Sequence, residues 1–192
     1  ALAGLLFGFH PTGNALAVAK RVQERLGDCE LISIPKALSA AGDSDAKIEA
    51  PVIGIVTPIY MHNMPHIVSR FIKGIGNAEY LFVVYAGGGE LGAGLGKTRR
   101  LFSRLGLPLS AIFNLPMPSN YTPYGYPEEA KQAELLGEAE RRIGELVDTV
   151  TERTLHFDGS NTSFINARLY PGLLYQLDRG LVDGVNGIRG QI

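Results

Sequence analysis

The sequence predicts an α/β protein, a three-layer αβα sandwich on a five-stranded parallel sheet. Three observations predict it. Five short apolar runs rich in Val, Ile, Leu, Phe and Tyr recur between Leu2 and Met117. They are continuous rather than alternating, the pattern of strands covered on both faces. The stretches between them carry apolar residues every three or four positions, the helical period, so strand and helix alternate as βαβ units.

The first strand is Leu2–Phe9, LAGLLFGF, which lacks the basic flank of a signal peptide and runs straight into a turn. A helix follows Asn14, with Ala15, Val18, Ala19, Val22 and Leu26 on one face and Gly27 at its end. The second strand is Cys29–Ile34. Residues Pro35–Ala50, rich in Ala, Ser, Gly and Asp, read as a loop. The third strand, Pro51–Tyr60, leads to a helix with Pro65 in its first turn and Ile67, Val68, Phe71 and Ile72 inward. After the fourth strand, Glu79–Ala86, comes a helix that buries Leu95, Leu101, Phe102 and Leu105 and closes at Gly106. The fifth strand, Leu109–Met117, precedes a long helix from about Pro127 to Arg153. That helix carries Leu135, Leu136, Ile143, Leu146, Val147 and Val150. The expected division is a domain over 1–156 and an extension over 157–192, a short helical segment plus a Gly-rich tail.

Composition narrows the function classes. The chain has 192 residues, 45% of them apolar, enough for one domain with a full core. Eighteen Lys and Arg face nineteen Asp and Glu, so no basic excess calls for nucleic acid or an anionic membrane. No apolar run approaches the ~20 residues of a spanning helix. The single cysteine, Cys29, excludes a disulfide or an all-cysteine iron–sulfur cluster within the chain and reads as a buried structural thiol of a cytoplasmic protein.

In open parallel sheets, ligands bind beyond the carboxyl ends of the strands. Four loops leave those ends. The first, HPTGNA, is a glycine turn opening a helix, where free backbone N–H groups and the helix dipole favour an anion. Thr12 adds a hydroxyl donor, and Asn14 either caps the helix or donates its amide. The second, TPIYMHNMP, sets Tyr60, Met61, His62 and Asn63 in a row, side chains suited to a flat aromatic ligand. The third, AGGGELGAG, lets backbone approach a ligand closely. The fourth, Pro116–Tyr126, is stiff and aromatic.

Two motif matches fail. Gly87, Gly89 and Gly92 match the dinucleotide fingerprint, but on the fourth strand, and SAIFNLP has no acid to hold a ribose. GLGKT ends like a P-loop, yet Leu91 stands where that motif needs its first glycine. His62 and His66 have no acidic neighbour or nucleophile motif to form a triad.

Taken in order, the four loops resemble those of the flavodoxin fold, and more narrowly the flavodoxin domain of ferrodoxin-type flavodoxin–ferredoxin fusions. FHPTGNA stands for F-S-G-T-G-N-S, PIYMHNMP for P-V-Y-x-x-x-x-P, YAGGGE for the glycine-pair loop and MPSNY for M-P-x-N-Y, over Leu5 to about Arg153. The resemblance implies strand order 2-1-3-4-5 and FMN as cofactor. Its phosphate would lie on His10, Pro11, Thr12, Gly13, Asn14 and Ala15. The ring would lie between Thr57, Pro58, Ile59, Tyr60, Met61, His62 and Asn63 on one side and Ala86, Gly87, Gly88 and Gly89 on the other. Asn120 and Tyr121 would approach from the edge. A ferredoxin-type redox partner would act in trans. Pro11 has no N–H and Ala15 no hydroxyl, two departures from the family's phosphate loop.

Three functions therefore stand open. The chain is an FMN protein acting in electron transfer or in reduction of a small acceptor. Alternatively, it is a module on the same fold that has lost FMN and serves interaction or ligand binding. The third reading is an NAD(P)H-dependent FMN quinone or flavin reductase.

Overall fold

A computed structural model describes residues 4–10, 13–42, 47–87, 91–119 and 126–158. The elements in chain order are β1 (Gly4–Gly8), α1 (Asn14–Leu26), β2 (Cys29–Ser33), α2 (Ile34–Ala41), β3 (Val52–Thr57), α3 (His66–Ile72), β4 (Tyr80–Gly87), α4 (Ala93–Leu105), β5 (Leu109–Pro116), α5 (Glu129–Thr151) and β6 (His156–Phe157). They form one sheet in the order β2-β1-β3-β4-β5-β6, with every pairing parallel. This is the flavodoxin-like doubly wound order with one more strand at the edge.

The continuous apolar runs are explained by what covers each face. Leu6, Val56, Phe82, Val84, Phe113 and Leu115 pack with Val18, Val22, Ile143 and Leu146 of α1 and α5. Phe7, Ile53, Ile55, Leu81, Val83, Tyr85 and Ile112 pack instead with Ile34, Val68, Phe71 and Phe102 of α2, α3 and α4. Successive residues of a strand point to opposite faces, so both faces being covered forces apolar residues at every position. The tightest point is Gly54, in the middle of β3. A methyl there would stand 2.3 Å from Phe82 Cζ and 2.6 Å from Leu6 Cδ1.

Several details differ from the sequence reading. The stretch read as a loop begins with helix α2, whose Pro35 sits in the first turn. It was hidden because Ile34 is its only fully buried residue and alanines give no periodic contrast. On α4 the buried stripe is Gly94, Thr98 and Phe102, so Leu105 is exposed. On α5 it is Ala139, Ile143, Leu146 and Val150, and Leu136 is exposed. Cys29 is half-buried rather than buried, and burial raises its thiol pKa.

The sixth strand was not expected. Its two residues carry too little pattern to read, and polar contacts hold it. Asp158 accepts the Asn114 N–H at 2.6 Å and a bond from Arg142, and lies 2.9 Å from His156 Nε2. His156 stacks on Phe113, with ring centroids 4.6 Å apart, and Arg99 lies over the Phe157 ring. The segments FINARLYPGLLYQL and GLVDGVNGIRGQI lie outside the described residues. No described helix is long and apolar enough to cross a membrane.

Candidate cofactor site

The winding order reverses at β1: β2 pairs on one edge and β3 on the other, both parallel. A crevice opens at such a switch point, above the carboxyl ends of the two strands. The first, second, third and fourth loops described above all leave the sheet at this end.

The first loop hands over to α1 through Gly13, whose φ of 86° lies in the region open to glycine. Among the described residues no side chain caps α1, and no acid stands in its first turn. Its first amides therefore remain available to an anion. A Cβ at Gly13 would meet no described residue within 4 Å. Asn14 does not cap the helix. Its Nδ2 donates to Pro118 O at 2.9 Å, joining the first loop to the fourth. The half-buried His10 ring lies over Gly8.

The second loop is a two-residue hairpin. Tyr60 N–H donates to Asn63 O and Asn63 N–H to Tyr60 O, at 3.0 and 2.9 Å. Met61 and His62 both take positive φ, 48° and 60°, as a tight primed turn requires. Each costs a non-glycine residue about 1 kcal/mol, and α4 holds the turn against that strain. The His62 ring donates from Nδ1 to Leu91 O at 3.1 Å. The same ring fills the space a Cβ at Gly92 would need, 2.7 Å from Nδ1. Lys97 Nζ donates to Asn63 Oδ1 at 2.7 Å. The turn thus presents Met61, 91% exposed, and Tyr60, 48% exposed, to solvent.

Below it, Ile59 reaches to 3.5 Å from where a Gly87 Cβ would be, closing the second loop on the third. Tyr85 sits under the start of α4. Its hydroxyl bonds Thr98 Oγ1 at 2.5 Å, and that hydroxyl donates to Gly94 O at 2.8 Å. Burial pushes the Tyr85 phenol up to about 12, although the Thr98 bond opposes the shift.

The expected site residues divide into three sets. His10, Gly13, Asn14, Ile59, Tyr60, Met61, His62, Asn63 and Gly87 gather around the crevice end of the sheet. Ala15, Thr57, Pro58 and Ala86 are buried in the core, and the Thr57 hydroxyl is turned to Pro58 O at 3.1 Å. These four offer backbone at most. Pro11, Thr12, Gly88, Gly89, Asn120 and Tyr121 lie outside the described residues. Sequence reasoning missed Pro118, Leu91 and Lys97, which anchor the loops. Only Lys97 carries a chemical signal, and it was absorbed into a failed P-loop match. An open cleft of about 660 Å³ lies at the opposite end of the sheet, lined by Gln23, Asp28, Cys29, Glu30 and Glu49. Its acids suit no phosphate, and it lies at the wrong end of the strands.

No protein-family model and no curated protein matches the chain. Among solved structures it is similar to two-electron reduced flavodoxin from Megasphaera elsdenii, at 19% identity over 72% of this chain and 98% of that one, TM-score 0.43. It is similar to an FMN-dependent NADH-azoreductase from Bacillus anthracis in complex with FMN, at 12% identity over 77% and 98%, TM-score 0.49. An NAD(P)H:quinone oxidoreductase from Methanothermobacter marburgensis is similar at 12% identity over 76% and 99%, TM-score 0.48.

Proposed function

We propose that the chain is an FMN-binding, flavodoxin-like protein that carries electrons or reduces a small acceptor. One observation carries the reading. The uncapped, acid-free start of α1 lies at the switch point, pinned by Asn14 to the loop that follows β5. The residues present fit the cofactor. The amides from Gly13 onward suit its phosphate. The exposed faces of Tyr60 and Met61 and the glycine edge at Gly87 suit its flat ring. Bound FMN would supply one- or two-electron redox chemistry, and the protein's part is to bind, orient and tune it. The His10 ring, beside the turn, carries an N–H donor that could reach the phosphate. The redox partner in this reading is a separate protein of ferredoxin type.

A second reading has a specific observation behind it. Pro11 removes one N–H from the turn, and Ala15 is buried and has no hydroxyl. Losing one charge-assisted bond to phosphate weakens binding by roughly ten- to a hundredfold, about 1.5–3 kcal/mol. That would leave an interaction or ligand-binding module on the same fold.

Titration with FMN, followed by flavin absorption and fluorescence, decides between them. Saturation at micromolar FMN or below supports the first reading, and no uptake overturns it. If NADH alone bleaches the loaded chain, the protein is a reductase and not a carrier.

A further inference from the structure

The two helical layers differ in charge. On the α1/α5 side, every arginine and Lys131 are matched by acids, and Lys20 alone is without an ion pair among the described residues. Arg21 pairs with Glu24 and Glu140, Arg25 with Glu140, Lys131 with Glu134, and Arg141 with Glu138 and Glu145. On the other side, α2, α3 and α4 carry Lys36, Arg70, Lys97, Arg99, Arg100 and Arg104 and no acid at all. Glu79, the one described acid between His66 and Leu107, is engaged by Arg153 from beyond α5.

The cations of α4 are ordered. Lys97, Arg100 and Arg104 are spaced three and four apart, which puts them on one stripe about 10 Å long. All three are exposed, and neither Arg100 nor Arg104 makes an ion pair among the described residues. The stripe starts at the site itself, because Lys97 holds Asn63 of the turn that displays Met61 and Tyr60. An apolar tip beside an unneutralised cationic stripe is complementary to a partner with an acidic rim around its own redox centre. No acid among the described residues neutralises Arg100 or Arg104, and an acidic partner surface would complement them.

We infer that the Tyr60–Asn63 turn and the Lys97–Arg100–Arg104 stripe of α4 form the docking surface for an acidic one-electron carrier protein. Its role as donor rests on the FMN reading above. Each encounter passes one electron, so the carrier is oxidised and the loaded chain reduced. The surface orients the partner over the exposed edge of the site.

The test uses the full chain and an acidic plant-type [2Fe–2S] ferredoxin as probe. Calorimetry reads binding with and without FMN, and stopped-flow absorption reads flavin reduction by the pre-reduced, desalted ferredoxin at rising salt. The expected result is binding and a reduction rate that both fall with salt. The double variant Arg100→Glu/Arg104→Glu should lose on the order of tenfold in rate and most of the salt dependence, with FMN affinity unchanged. Arg100→Gln/Arg104→Gln should fall between, which guards against misfolding of the reversed variant. Arg141→Glu on the opposite layer should change nothing. Rates and salt slopes that ignore the α4 substitutions overturn the proposal, as does tighter binding of duplex DNA than of ferredoxin. If FMN is not taken up but ferredoxin binds through α4, the cofactor reading falls and the surface stands.

Discussion

Asn14 and Pro118, 104 positions apart, are joined by one hydrogen bond from Nδ2 to the carbonyl, 2.9 Å long. It locks the turn that starts α1 against the loop that ends β5. Removing it with Asn14→Ala loses a neutral bond of about 1 kcal/mol. At this chain length that is about 2–4 °C in Tm. In the FMN reading, the FMN dissociation constant should rise about fivefold to tenfold as the two loops separate. Asn14→Asp should be worse than Asn14→Ala, because a carboxylate would face the Pro118 oxygen and, in the FMN reading, repel the phosphate. Thermal melts and FMN titrations of the three proteins check the order.

Tyr85 and Thr98 form a buried relay to Gly94 O. Thr98→Val keeps the shape but strands the Tyr85 hydroxyl, at a cost of about 1–3 kcal/mol. Adding Tyr85→Phe should recover part of that, the signature of a coupled pair. The pH dependence has a definite sign. Burial raises the folded-state phenol from 10 to about 12. The neutral phenol's contribution is therefore complete below pH 10 and is lost as pH rises toward 12. Tyr85→Phe should be less sensitive than the parent to unfolding across that window, measured by circular dichroism.

Much of this fold was legible because both sheet faces are covered. Runs such as LFVVYA in β4 need an apolar residue at every position, and that is a strong signal. Helix α1 was legible because Ala15, Val18, Ala19 and Val22 fall on one stripe. The reading failed where burial is not carried by large aliphatics. On α4 a threonine and a glycine hold inward positions that Leu105 was expected to take. α2 is mostly small residues, and β6 is held by Asp158, which no apolar pattern marks. At the site, residue types were legible but partners were not. Nothing local to Asn14 distinguishes a helix cap from a bond to a loop a hundred residues away.

Asp158 makes the acid limb predictable. Burial pushes its carboxyl up, but the bonds from His156, the Asn114 N–H and Arg142 outweigh that and hold it below its ordinary 3.8. A lowered pKa contributes stability above the unfolded value and loses it as pH falls through the folded one. Asp158→Asn should therefore be about 1.5–3 kcal/mol less stable near neutral pH, with the gap closing below pH 4. Denaturant melts of both proteins across that range read the difference. A constant gap would show that the carboxylate's charge does not hold β6.

Gly54 tests the packing of the sheet. A methyl there meets Phe82 and Leu6, themselves 1% exposed and locked in the core. Both contacts are side-chain ends, so the cost of Gly54→Ala is the cost of moving them, about 1–3 kcal/mol. Phe82→Leu should relieve part of it, because the shorter side chain withdraws from the added methyl. A double-mutant cycle in urea gives the coupling.

Met61 and His62 separate strain from anchoring at the candidate site. Both have positive φ, but only the His62 side chain holds a partner, Leu91 O, while Met61 is almost wholly exposed and joins the turn through its carbonyl, which accepts from Asn63 Nδ2 at 2.8 Å. Met61→Gly removes an αL penalty and no contact, so the protein should gain roughly 0.5–1 kcal/mol. His62→Gly removes a similar penalty but also the bond to Leu91 and the ring packed on Gly92, so it should give no gain or a net loss. In the FMN reading the two variants diverge further. Met61→Gly loses the thioether that faces the ring and should weaken FMN modestly. His62→Gly loosens the whole hairpin from α4 and should weaken it more. Urea melts paired with FMN titrations resolve both effects. A Met61→Gly protein no more stable than its parent would show that the turn is not held under strain.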